Sequence, residues 1–188
     1  MQIGNVKTEL NIDGKYARKS QRYALEEEFE RWSEGMNLFL TFKFAQGELT
    51  TETKARQAVS RFWNKMDRVW YSKPQVRSGH RVPRICVLHR GSSGENVHLH
   101  ALAAVHDVPV FSTIANRYWT ENDQYNHSLH METIRDRKLS CRYLLHEYWI
   151  LGSDTFLPGV SHRPSNNKTT TPKPSMSQLR RVLKAHYT

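Results

Sequence analysis

Cysteine is nearly absent from this chain: its 188 residues include two, Cys86 and Cys141. Both fall in apolar stretches, which reads as reduced core residues and excludes a disulfide framework. Long hydrophobic runs are missing as well. No apolar stretch has the length of a membrane span, and the N-terminal MQIGNVKTELNIDGKY has no signal-peptide core. No G-x-x-x-x-G-K-[ST] occurs, so a fused helicase is excluded within this chain, and no internal repeat is visible. Acidic residues are in deficit, 18 against 28 Lys and Arg, for a net charge of +10 with histidine neutral. A polyanionic partner is expected, nucleic acid being the commonest. The length suits one domain with a full core and a tail.

What is present comes in an informative order. Residues 20–34 read as a charged helix with Tyr23, Phe29 and Trp32 on a rough stripe. Asn37–Phe44 alternates as a strand, with Leu38, Leu40, Phe42 and Phe44 on one face and Phe39, Thr41 and Lys43 on the other. Thr51–Tyr71 is a long helix carrying Ala55, Val59, Phe62, Trp63, Met66 and Trp70, with Thr51 as N-cap. Strands at Arg84–Arg90 and Val97–Val105 flank the turn-rich segment Gly91–Asn96. A helix at Phe111–Glu121, a strand at His127–Ile134 and a helix at Lys138–Ile150 follow. This β-α-β-β-α-β order predicts an α+β fold with a ferredoxin-like or RRM-like antiparallel sheet. The domain is expected over 37–152, preceded by a helical extension (1–36). A basic tail (153–188) follows, whose Ser165–Ser175 has linker composition.

The stretch Val97–Val105 reads VHLHALAAV. With a period of two, Val97, Leu99, Ala101, Ala103 and Val105 form one apolar, buried face, and His98 and His100 leave the other together. Two imidazoles aimed the same way can hold one divalent metal. If Arg90 pairs with Val97 across the hairpin, His89 stands opposite His98 and Val87 opposite His100, and His89 becomes a third ligand on the same face. A slip of one residue would turn it away, leaving Glu95 as the reserve ligand.

In Lys138–Ile150, Cys141, Leu144, Leu145, Tyr148 and Trp149 fall on one apolar stripe at helical spacing. Tyr143 points away from it, flanked by Arg142, His146 and Glu147. A tyrosine so presented can act as a nucleophile if its target is activated and its charge neutralised.

Together these residues resemble the HUH endonuclease superfamily, most closely the single-tyrosine Rep proteins that start rolling-circle replication. Three ordered motifs carry the resemblance over about residues 37–150: the apolar strand Phe39-Leu40-Thr41-Phe42, the strand His98-Leu99-His100, and a Tyr-x-x-Lys helix matched in part by Tyr143-Leu144-Leu145-His146. Two positions depart from the family pattern. His89 stands where many members have a carboxylate, and His146 replaces the lysine, with Lys138 and Arg142 as possible substitutes.

The resemblance implies an HUH endonuclease fold over 37–152 and a metal-dependent endonuclease that nicks single-stranded DNA at an origin and rejoins it. Tyr143 would attack, leaving a 5′-phosphotyrosine and a free 3′-OH, with His146 assisting as a cation beside the phosphate or as a base. His98, His100 and His89 would hold Mn²⁺ or Mg²⁺; three imidazoles shift preference from Mg²⁺ toward Mn²⁺ or later metals, Zn²⁺ included. Thr41 and Lys43, on the strand face opposite Leu40 and Phe42, are candidate DNA contacts, together with Arg90, Lys138 and Arg142. Lys65, Arg77, Arg81 and Arg84 form a looser basic set. The implied partners are single-stranded DNA with an origin hairpin and a separate helicase, with no membrane. The implied location is the cytoplasm of a bacterial host, or the host nucleus for a eukaryotic virus. An HUH transposase, a relaxase-like nickase and a non-catalytic ferredoxin-like nucleic-acid-binding module are the alternatives.

Overall fold

Four short alternating strands pair into one antiparallel sheet in the computed structural model, which describes residues 22–44, 50–91, 96–120, 128–148 and 155–163. They are β1 (Leu38–Lys43), β2 (Arg84–His89), β3 (His98–Ala103) and β4 (Ser128–Thr133), in the order β2-β3-β1-β4. The helices are α1 (22–32), α2 (Glu52–Trp70), α3 (Lys73–Arg77), α4 (Val108–Thr120) and α5 (Arg137–Leu144). The chain is therefore α+β, and its strand order is compatible with a ferredoxin-like fold. The histidine-bearing β3 is paired on both sides, which makes it a stiff platform.

Period-two alternation divides the sheet into two packed faces. Leu38, Leu40 and Phe42 of β1, Cys86 and Leu88 of β2, and Leu99, Ala101 and Ala103 of β3 meet α2 and α4 in the larger core, which also takes Trp63, Trp70 and Phe111. Thr51 caps α2, its Oγ1 accepting from the Lys54 N–H at 3.3 Å. The opposite face buries Ile85, Val87 and Leu102 against Phe29 and Met36, at and beyond the end of α1, and against Cys141, Leu144 and Leu145 of α5 and its exit. Both cysteines are buried and free, and burial pushes the Cys86 thiol up to about 12. Tyr23 departs from its expected stripe and is exposed, whereas Phe29 is buried.

The last helix is shorter than its periodicity suggests. α5 stops at Leu144 and a turn follows. At this end the Leu144 carbonyl, which would accept from Tyr148 if the helix continued, accepts from His89 Nε2 at 2.9 Å on the sheet face beneath it. The Tyr148 N–H donates to Leu145 instead. Trp149, Ile150, Glu95, His127 and the stretches 1–21 and 164–188 lie outside the described residues.

Residues 155–163, read from composition as the start of a tail, lie along the outer edge of β2. The Arg84 and His162 backbones exchange hydrogen bonds at 2.8 Å each way, and the Leu157 N–H donates to the Cys86 carbonyl at 3.0 Å. The same edge holds a buried ion pair. Asp67 accepts from Arg84 at 2.7 and 3.1 Å and from the Val82 N–H at 2.9 Å, while Arg84 Nε donates to the Val160 carbonyl and the guanidinium lies over Trp63. Arg84 is thus a core cation rather than one of the surface basic set. Removing one partner strands the other charge, so Asp67→Ala is expected to destabilise by about 4 kcal/mol. At this chain length that lowers Tm by roughly 10 °C. Asp67→Ala/Arg84→Met should lose distinctly less; thermal melts of both variants check this, and equal losses would mean that the stranded charge is not the cause.

Candidate metal and tyrosine site

The hairpin register decides whether three histidines can meet. In the structure His89 pairs with His98 and Val87 with His100, as the expected alignment requires. Gly91 opens the connecting turn at φ +69°, in the left-handed region that favours glycine. The ligand nitrogens of His89, His98 and His100 lie within 4.8 Å of one another, and the rings stand edge to face, His89–His100 at 4.7 Å and His98–His100 at 4.9 Å between centroids.

Each ring is oriented by a hydrogen bond from its other nitrogen. His89 Nε2 donates to the Leu144 carbonyl (2.9 Å) and His98 Nδ1 to the Asn96 carbonyl (2.7 Å). A carbonyl can only accept, so these bonds place the lone pairs on His89 Nδ1 and His98 Nε2. Thr41 Oγ1 lies 3.0 Å from His100 Nδ1 and can accept from it, which frees the lone pair of Nε2. Such outer bonds fix tautomer and aim in metal-binding histidines.

Two ring nitrogens are left over. His89 Nδ1 and His100 Nε2 are buried with no hydrogen-bond partner among the described residues. The other orphans are indole N–H groups, which have no lone pair to offer a metal. Burial, reinforced by the neighbouring imidazoles, holds His100 neutral and lowers its pKa to about 2. Burial also lowers His89, against the Leu144 bond and the Glu147 carboxylate, which pull the other way. Two buried imidazoles with unpartnered nitrogens and a third within 4.8 Å of them fit a divalent transition metal.

Tyr143 joins this cluster from the last turn of α5. Its ring stands 5.0 Å from that of His100 and 5.9 Å from that of Phe39, and it remains 48% exposed. His146 lies in the turn after the helix and stacks on Tyr143 at an interplanar angle of 20°. A groove of about 960 Å³ opens beside the tyrosine, lined among others by Phe39, His100, Glu132, Arg135, Leu139 and Tyr143. Leu139 is 60% exposed on its rim.

The remaining sequence candidates divide by position. Thr41 is buried against His100, and Lys43 is exposed at the end of β1 opposite His98. Arg90 pairs with Glu52, Arg142 reaches Glu26 on α1 at 3.4 Å, and Lys138 is exposed on α5. Glu147 was not among the candidates, yet its carboxylate accepts from the Arg90 and Gly91 N–H groups (2.6 and 3.0 Å), and Oε1 lies 4.0 Å from His89 Nδ1. With His89 and His146 it forms a second group able to hold a metal. The available signal was its spacing, four residues after Tyr143. Comparison of the chain with protein-family models, curated proteins and solved structures returned no significant match.

Proposed function

We propose that this protein is a metal-assisted endonuclease that nicks single-stranded DNA and rejoins it through Tyr143, as replication initiators of the HUH class do. One observation carries the reading: a half-exposed tyrosine stands edge-on to His100, whose candidate ligand nitrogen lies within 4.8 Å of those of His89 and His98. A divalent metal held by His89, His98 and His100 would supply Lewis acidity toward a non-bridging phosphate oxygen. The tyrosine Oη attacks phosphorus, the bond to the 3′ oxygen breaks, and the products are a 5′-phosphotyrosine and a free 3′-OH. The phosphodiester energy stays in the covalent link, so a 3′-OH can reverse the step. The groove beside Tyr143 gives the strand a place to lie, with Phe39 and Leu139 offering apolar surface to unstacked bases. Stacked on the attacking ring, His146 steadies the phosphate as a cation where the resembling family has lysine.

The test is a denaturing gel of protein incubated with 3′-labelled single-stranded oligonucleotides of varied sequence and Mn²⁺, Mg²⁺ or Zn²⁺. A labelled band at the mass of protein plus DNA is expected, dependent on metal. His146→Lys should keep that band and His146→Gln should weaken it. Absence of any adduct with folded, metal-loaded protein would leave the non-catalytic binding module as the better reading.

A further inference from the structure

The sheet face opposite the tyrosine carries its own ordered charge. Lys54, Arg61, Lys65 and Arg68 fall within roughly 60° of one another around α2 and extend over roughly 21 Å of its axis. Lys54, Arg61 and Arg68 are exposed, as are Lys73 and Arg77 on α3, and none of these five makes an ion pair among the described residues. Lys65 lies over the Tyr118 ring of α4. Acidic groups are sparse in this layer: residues 52–120 hold eleven Lys or Arg against Glu52, Asp67, Glu95 and Asp107, and Glu52 is engaged by Arg56 and Arg90. Asp67 is buried in its pair with Arg84. The acidic residues concentrate elsewhere, α1 alone carrying Glu26, Glu27, Glu28 and Glu30.

We infer that the outer face of α2 and α3 is a second nucleic-acid surface, which docks the phosphate backbone of a duplex. A straight row of cations on a rigid helix complements a polyanion of regular charge spacing. A single strand is the poorer occupant, because it is held by stacking platforms as well as charge. The exposed large apolar side chains among the described residues are Tyr23, Leu139 and Tyr143, none of them on this face. The same lack of apolar anchors disfavours a membrane surface. Duplex and single-stranded segments of one substrate would then be engaged on opposite faces of the sheet. The inference rests on the stripe and not on Tyr143 chemistry.

Fluorescence anisotropy with a 20-base-pair DNA duplex of arbitrary sequence, the corresponding 20-nucleotide single strand and phosphatidylserine vesicles separates the outcomes. For Lys54→Ala/Arg61→Ala/Arg68→Ala, duplex affinity should fall at least about tenfold near 0.1 M salt. The slope of log affinity against log salt should become shallower by roughly 3, close to one unit per lost phosphate contact. Single-strand affinity should change much less, and Arg31→Ala on α1 should leave both unchanged. All the substituted side chains are exposed, and a thermal melt verifies the fold. The inference is overturned if wild-type protein does not bind the duplex, if the triple variant keeps its affinity and salt slope, or if the loss falls equally on the single strand or only on vesicles. The adduct gel on the same samples keeps the two readings apart: an adduct-forming triple variant with no duplex defect sinks the stripe alone, and a duplex defect in protein that never forms an adduct sinks the nuclease alone.

Discussion

Tyr143→Phe is expected to form no covalent adduct with a cleaved oligonucleotide while binding the uncleaved strand nearly as well as wild type. Loss of an essential nucleophile costs on the order of 10⁶ in rate, which takes the reaction below detection. The substitution keeps the ring that contacts Phe39, His100 and His146 and deletes only the hydroxyl. Packing is therefore a poor explanation for any loss, and an unchanged melting temperature would exclude it. An adduct that persists, or that moves to Tyr148 just beyond the turn, would sink the assignment.

His100→Ala should abolish metal binding measurable by calorimetry with Mn²⁺ or Zn²⁺, and adduct formation with it. It removes one of three candidate ligands, on a strand paired on both sides. Thr41→Val is the sharper probe, because Thr41 was read from sequence as a DNA contact and lies buried against His100 Nδ1. If it orients the ring, metal affinity should fall about 10–100-fold, the usual range for losing such an outer bond. Strand affinity measured without metal should hold. The opposite pattern, strand affinity lost and metal affinity kept, would restore the DNA contact.

Thr41 also illustrates what could be read from the residues and what could not. Period-two alternation placed it on the correct face of β1, but its partner depends on the β1–β3 register, which joins residues 59 positions apart. The His89–His98 alignment was legible because it is a hairpin: the two strands are close in sequence, and a pairing displaced by one residue would turn His89 away from His98 and His100. The end of α5 was illegible for the reverse reason. Its apolar stripe continues past Leu144, whereas the partner that the Leu144 carbonyl finds at the helix end is His89, 55 positions away. Glu147 follows the same logic, because its two backbone partners at Arg90 and Gly91 exist only once the hairpin and the helix have docked. Arg84 looked like surface charge because nothing local announces its pairing with Asp67 across two helices and a sheet edge.

The strap formed by residues 155–163 has a consequence for how the molecule behaves among copies of itself. β2 is the outer strand on the side that carries His89, and the strap occupies main-chain groups of Arg84 and Cys86 that would otherwise face solvent. A fragment cut at residue 152, where composition suggests a boundary, would present that row bare. A bare strand edge is a template for a neighbouring chain, so such a fragment would tend toward domain swapping or edge-to-edge polymers. Insulating this edge keeps the three-histidine hairpin a property of one polypeptide.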